Sequence, residues 1–257
     1  MNPNTDGPQS SKTGPVMRKN GVILAQVTNI KDPDKLNRVK CKPVSADEDV
    51  AETDWCYYLS PTAGNGYGQM FFPSVNDFVL LGYIGGDVHH PIILGFYWAN
   101  DNAPPYKIED GKNNIRSIKT PAGIEIKLDD EASKEKLTLT TPSGAVILVD
   151  DENKKIELRG KETTTKLTIE WEKGEITLAA DKKLTLSAGQ TKLVLESSGN
   201  ATCTANNKVS ASGASVELEG KGTFKAKAPS VEIAGDATVN VKGSGIVTIK
   251  GGMVQIN

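Results

Sequence analysis

Few residues in this sequence could do chemistry, and their spacing decides most of the cases. His89 and His90 adjoin Asp87, a trio that suggests a metal-ligand set. Adjacent residues of an extended chain point to opposite faces, so neighbouring imidazoles chelate one ion poorly. No third ligand is evident, and a turn role is expected. Asp129-Asp130 and Asp150-Asp151 could be read as catalytic carboxylates, but they recur with a repeated segment, which makes them solvated turn residues. With both histidines in one turn, no Ser/His/Asp or Cys/His constellation can be built. Gly64-Asn65-Gly66-Tyr67-Gly68 resembles a phosphate loop only superficially, since no lysine follows and no helix begins. Lys31, Lys35, Arg38, Lys40 and Lys42 form a local basic cluster, directly followed by an acidic loop at 47–54. Cys41, Cys56 and Cys203 lack CxxC spacing and are expected to be buried, reduced thiols. No catalytic, cofactor-binding or metal-ligating residue is assigned. No cofactor is expected, and the protein is not expected to be an enzyme.

The elements that carry these residues fall into two differently built halves. Twelve of the fourteen aromatics lie between Trp55 and Tyr106, and ten of the thirteen prolines precede Lys107. A compact head with an aromatic core is expected, followed by a segment made almost wholly of Val, Ile, Leu, Ala, Thr, Gly, Lys and Glu. The formal net charge of −2 gives no electrostatic reason to expect a nucleic acid partner. The longest apolar patch, residues 78–84, is strand-sized rather than membrane-spanning. The polar N-terminus lacks the regions of a signal peptide, so synthesis in the cytoplasm is expected.

Residues 1–19 read as a flexible arm rich in Pro, Gly, Ser, Asn and Thr. Residues 20–100 hold five or six short strands separated by Asp-Pro and Gly-rich turns, which suits a small OB-type barrel. Residues 101–114 form a linker. From residue 115 to 257 apolar residues sit two apart in short strands, as in Ile124/Ile126/Leu128, Leu184/Leu186, Val231/Ile233 and Val254/Ile256. The segment Thr120-Pro121-Ala122-Gly123, closed by Asp129-Asp130-Glu131, returns 21 residues later as Thr141-Pro142-Ser143-Gly144, closed by Asp150-Asp151-Glu152. Such repetition marks a β-solenoid.

One chain of such strands is poorly provided with core. Burial at about 25 cal/mol per Å² must offset roughly 1–2 kcal/mol of backbone entropy per residue. Three intertwined copies would put every apolar row on a shared axis and pair every edge. The fold class expected is therefore all-β: an OB-fold barrel followed by an intertwined triple-stranded β-helix in a homotrimer. At about fifteen layers and ~4.8 Å spacing the stalk would be on the order of 70 Å long. Alanine becomes frequent after Ala201, which would taper it.

These residues resemble a known family, the central spike proteins of contractile injection systems. The family includes phage baseplate spikes, tailocin and extracellular-particle spikes, and VgrG proteins. Asp32-Pro33-Asp34 with Arg38-Val39-Lys40 resembles its D-P-x-x-x-x-R-V-K hairpin. Pro73, Asp77, Val79 and Leu80, followed by Gly86-Asp87, Pro91 and Leu94-Gly95, resemble its P-x-x-x-D-x-V-L and G-D-x-x-x-P-x-x-L-G pattern. The resemblance implies a structural, membrane-puncturing spike of a phage tail, tailocin, injection particle or type VI-like apparatus. It implies a homotrimer mounted under a hub protein at the OB end, and delivery into a target envelope on contraction. Ahead of residue 20 the sequence shows only the arm, so the hub is expected to come from another protein, and the linker has no room for a lysozyme-like insert. No histidine follows His90, so a His-x-His iron tip is not expected. Instead Gly252, Met253, Val254, Gln255, Ile256 and Asn257 would seat a separate PAAR-type tip protein, with effector cargo as a further passenger. The target membrane would be met only by transient puncture. A receptor- or glycan-binding fibre is the alternative, but it would want an aromatic-lined groove, and the stalk has two aromatics, Trp171 and Phe224. A third reading, an oligonucleotide-binding OB protein, would show salt-dependent binding to single strands.

Overall fold

The computed structural model describes residues 21–45, 50–99, 102–161 and 164–256. The N-terminal arm, residues 47–49 of the acidic loop, Asp101 and Asn257 lie outside the described residues. The chain divides into two compact units, up to Ala179 and from Ala180 onward.

The first unit opens with a five-stranded sheet. Its strands are β1 (Ile23–Asn29), β2 (Lys40–Pro43), β3 (Tyr57–Tyr58), β6 (Phe78–Tyr83) and β7 (Pro91–Phe96). The short hairpin of β4 (Ala63–Gly64) and β5 (Tyr67–Gly68) lies between β3 and β6 in sequence. The order is β2-β1-β6-β7-β3, with bulges in the β1–β2 and β6–β7 ladders. Bulges bend a strand and increase its twist, and here the sheet curls until its two edges meet. Val39, just before β2, exchanges backbone hydrogen bonds of 3.1 and 2.8 Å with Cys56, just before β3. The result is an OB-like, curled sheet.

The core inside this curl is aliphatic, contrary to the aromatic core expected from composition. It consists of Ala25, Val27, Val39, Cys41, Cys56, Val79, Leu81 and Ile93. The register explains it: Ala25 faces Val79, Ile23 faces Leu81, Leu81 faces Ile93 and Val27 faces Cys41. The interior of a small curled sheet admits small and branched side chains more readily than rings. Tyr57, Tyr67, Phe71, Phe96 and Trp98 are exposed instead, while Tyr58 and Phe72 meet edge to face at 5.7 Å beside the core. The expected linker carries two tight isolated bridges, Ala99–Asn102 and Glu109–Lys112, and the Tyr106 hydroxyl donates to Glu125 at 2.6 Å.

A seven-stranded antiparallel meander follows in chain order. Its strands are β8 (Ile115–Lys119), β9 (Glu125–Asp129), β10 (Lys136–Thr140), β11 (Val146–Asp150), β12 (Lys155–Arg159), β13 (Lys166–Glu170) and β14 (Glu175–Ala179). The Thr-Pro-x-Gly repeat is its turn. Gly123 N donates to Thr120 O at 2.9 Å, and Ile124 N to Thr120 Oγ1 at 3.1 Å. Gly144 and Ala145 do the same with Thr141 at 2.8 and 3.1 Å. Both glycines have positive φ, +89° and +85°, a region glycine enters without steric penalty.

The second unit contains a three-stranded antiparallel sheet of β15 (Lys183–Ala188), β16 (Thr191–Glu196) and β17 (Ala201–Thr204). Among the described residues 205–256 there is no strand, although the alternation at Val216/Leu218, Val231/Ile233, Val239/Val241, Val247/Ile249 and Val254/Ile256 predicts five. The chain there bends at 206–207, 213–214, 221–222, 229, 236–237, 244–245 and 252. A strand exists only where a neighbour supplies ladder hydrogen bonds, and among the described residues 205–254 no such ladder forms within one copy. The glycines change role as well. Gly123, Gly144, Gly174, Gly189 and Gly199 all have positive φ, whereas Gly220, Gly235 and Gly251 do not; a Cβ on them would come within 2.9–3.1 Å of a carbonyl oxygen two or three residues ahead. The earlier glycines reverse the chain and the later ones let it turn a corner.

Candidate functional site

The loop between β1 and β2 is built on one aspartate. Asp32, at the Asp-Pro turn, accepts from the amides of Asp34, Leu36 and Arg38 at 3.1, 3.0 and 3.2 Å. The Arg38 guanidinium grips it bidentately, Nε to Oδ2 at 2.9 Å and Nη2 to Oδ1 at 2.8 Å, and reaches Asp34 at 2.6 Å. Arg38 hydrogen bonding, assisted by the amides, holds the Asp32 carboxyl well below the usual carboxylate range. The guanidinium also lies about 6 Å from the rings of Trp55 and Tyr57. The D-P-x-x-x-x-R spacing thus encodes a clasp that fixes the entry to β2. The basic cluster around it is partly neutralised, since Lys40 also pairs with Glu52 at 4.0 Å.

The histidines do not converge. His89 Nδ1 bonds Asp54 at 2.7 Å and His90 Nδ1 bonds Asp87 at 3.0 Å. Each imidazole has its own carboxylate, and Asp54 raises the pKa of His89. Among the described residues no cluster of three or more His, Cys, Asp or Glu side chains could hold a metal. The residues 64–68 form the β4–β5 hairpin, with Gly66 at φ +79°.

The aspartate pairs are held rather than merely solvated. Asp150 is buried, accepts from the amide and Nδ2 of Asn153 at 3.0 and 2.9 Å, and pairs with Lys136 at 3.6 Å. Asp130 is ion-paired to Arg116. Cys41 and Cys56 are buried as expected, but Cys203 is exposed on β17.

The largest chemical feature is a face, not a cleft. Cross-strand register aligns Ile118, Ile126, Leu139, Ile147, Leu158, Leu167 and Leu178 in one row on β8–β14. Leu128, Leu137, Val149, Ile156, Ile169 and Ile176 make a second row beside it. Much of this face is open: Leu128 is 45% exposed, Leu158 42% and Ile176 72%. The opposite face is polar yet better covered, with Glu157 and Thr168 buried among neighbouring long side chains. Isolated monomers rarely expose contiguous apolar patches of this kind.

In residues 252–256, Met253 and Ile256 are almost fully exposed and Val254 half so, while Asn257 lies outside the described residues. Sequence reading missed the burial of Asp150 and the closeness of Cys41 to Cys56. The cysteine pair depends on which sheet edges meet, a long-range fact with no local signature, whereas Asp150 is covered by Asn153 of its own turn and by Lys136 opposite it on β10.

Residues 23–98 match the family model of the type VI secretion system/phage-baseplate injector OB domain. The type VI secretion system spike protein VgrG2a of Pseudomonas aeruginosa is 30% identical over 90 residues, which are 34% of this chain and 11% of that protein. The spike protein VgrG3 of Vibrio cholerae is 30% identical over 89 residues, 33% of this chain and 9% of that one. The aligned region is thus about a tenth of the length of these curated relatives. The curled sheet that the Asp32–Arg38 clasp and the Val39–Cys56 seam hold together is the part of the chain that carries the injector OB-domain pattern, and its similarity to the VgrG spike proteins is distant and partial.

Proposed function

We propose that this protein is a structural component of a contractile injection apparatus, a trimeric spike that enters the target envelope when the apparatus fires. The observation that carries the reading is the continuous apolar face of β8–β14, left open beside an injector-type OB sheet. Three copies would bury their two-row faces against one another around a common axis. Residues 205–254, which form no strand ladder within one copy and turn corners instead of reversing, would pair with the neighbouring copies as a triple-stranded β-helix. Two copies could bury the sheet faces as a sandwich, but would leave open edges in that winding segment.

In this reading residues 20–100 face a trimeric hub protein. The exposed apolar end, Gly252, Met253, Val254, Gln255 and Ile256 with Asn257, seats a PAAR-type tip protein, and effector cargo travels with the spike. The fibre alternative would want an aromatic row along the stalk, whose aromatics are Trp171 and Phe224 alone; the depression lined by Trp98, Tyr106, Asp129 and Glu131 lies where the linker meets its first strands.

The reading is tested in the source cell. The tagged protein is expected to co-purify with sheath-and-tube particles, and its deletion should abolish delivery into target cells. Free soluble chain with no particle association, and delivery unchanged on deletion, would refute it. Removal of residues 252–257 should leave the trimer intact and abolish binding of a PAAR-type protein; binding that persists would place the tip elsewhere.

A further inference from the structure

The seam of the curled sheet holds two thiols that the spike reading does not use. Cys41 lies on β2 and Cys56 immediately before β3, with relative exposures of 0% and 1%. The backbone pair Val39–Cys56 sets the register there, so Cys41, two residues beyond Val39, points to the same side as Cys56. Thr53 clamps both. Its amide donates to the Cys41 carbonyl at 2.8 Å, its hydroxyl accepts from the Cys41 amide at 3.1 Å, and the same oxygen lies 3.2 Å from Cys56 Sγ. Cys56 Sγ also donates to the Asp54 carbonyl at 3.3 Å. A depression lined by Pro43, Glu52, Thr53, Asp54, Tyr83 and His89 reaches the two residues, Thr53 and Asp54, that contact the Cys56 sulfur.

We propose that Cys41 and Cys56 form a dithiol site for small two-electron thiol oxidants, which close a disulfide across the seam of the OB-like sheet. The two sulfurs differ in readiness. Mutual hydrogen bonding and then burial push the Cys41 thiol up, while the same contact, helped by Thr53, holds Cys56 below its ordinary value. Cys56, whose sulfur touches Thr53 Oγ1 and the Asp54 carbonyl beside the depression, is the thiol an oxidant meets first. With an azo oxidant such as diamide, the Cys56 sulfur loses its proton and bonds to one nitrogen of the N=N group. Cys41 then attacks the Cys56 sulfur, the S–N bond breaks and the S–S bond forms. The protein gives up two electrons and two protons, and diamide leaves as the hydrazine that carries them. The bond would tie the chain from 41 to 56 into a closed loop and limit the freedom of the unfolded state.

The test uses the full chain carrying Cys203→Ser, which removes the exposed competing thiol. The protein is treated with diamide, unfolded in N-ethylmaleimide, digested and analysed by mass spectrometry. The expected product is one peptide pair joined through Cys41 and Cys56, lighter by two hydrogens and separated again by dithiothreitol. The oxidised protein should also melt at a higher temperature than the reduced one. Recovery of both cysteines as maleimide adducts, or as separate diamide adducts, would overturn the proposal. The result does not depend on whether the chain is a spike.

Discussion

Cys203 stands directly opposite Leu193 in the β16–β17 ladder, and Leu193 stands opposite Leu186 in β15–β16. The exposed thiol therefore shares the row of leucines that the proposed trimer buries. Three copies of Cys203 should converge near the axis. Mild copper-phenanthroline oxidation should link copies into covalent dimers on non-reducing gels, in a yield independent of protein concentration. A yield that rises with concentration would show random collision and place Cys203 outside the interface.

The same row predicts the effect of charge. Leu186→Asp would put three carboxylates near one another in a dry core, where each unpaired charge costs several kcal/mol. Loss of the trimer by size-exclusion chromatography is expected. Thr177→Asp, on the polar face of the meander, should leave assembly unchanged. A Leu186→Asp trimer as stable as wild type would contradict the inward assignment.

The two repeat turns should differ in tolerance. Gly144 has φ +85°, and a Cβ there would sit 2.5 Å from the Lys161 Cβ. Gly123 has a similar φ but only an ordinary 3.7 Å contact with Pro142. Gly123→Ala should cost about 1 kcal/mol for its left-handed backbone. Gly144→Ala adds a clash of the kind that costs roughly 1–3 kcal/mol more. Thermal melts of the two variants check the order; equal losses would remove the Lys161 contact from the explanation.

The Asp32–Arg38 clasp makes the head sensitive to acid. Because the folded pKa of Asp32 is depressed, its contribution to stability is present above the unfolded value of about 3.9 and is lost as pH falls towards the folded one. Asp32→Asn should lower the melting temperature at neutral pH, and the gap to wild type should close below about pH 4. A gap that stays constant into acid would mean that the charge on Asp32 contributes nothing.

His89 runs the other way. Its folded pKa is raised by Asp54, so the pair stabilises below the ordinary histidine value of about 6.5 and the effect is lost as pH rises through the folded pKa. An NMR titration of His89 should give a midpoint above that of free histidine, falling back in Asp54→Asn. No change in Asp54→Asn would assign the shift elsewhere.

Much of this architecture was legible in residue order. The Thr-Pro-x-Gly repeat announced its hairpins because the threonine hydroxyl and the glycine conformation act within one turn. Alternation announced the strands and which side chains share a face, since strand geometry converts sequence parity directly into sidedness. The aromatic core of the head was misread, because composition counts rings without saying which side of a curled sheet they occupy. Asp150 looked like a solvated turn residue because its burial is decided by the hairpin register that sets Lys136 opposite it and by the turn geometry that folds Asn153 back onto it. The five strands expected after Thr204 are absent from a single copy because alternation prepares a face but cannot supply the neighbour that completes a strand.

That missing neighbour is the centre of the account, and the molar mass in solution tests it most directly. Light scattering on the purified full chain should give about three times the 27.4 kDa of one copy. The value should persist on dilution and collapse in Leu186→Asp. A wild-type mass of one copy, or a stable value of two, would contradict the trimeric spike.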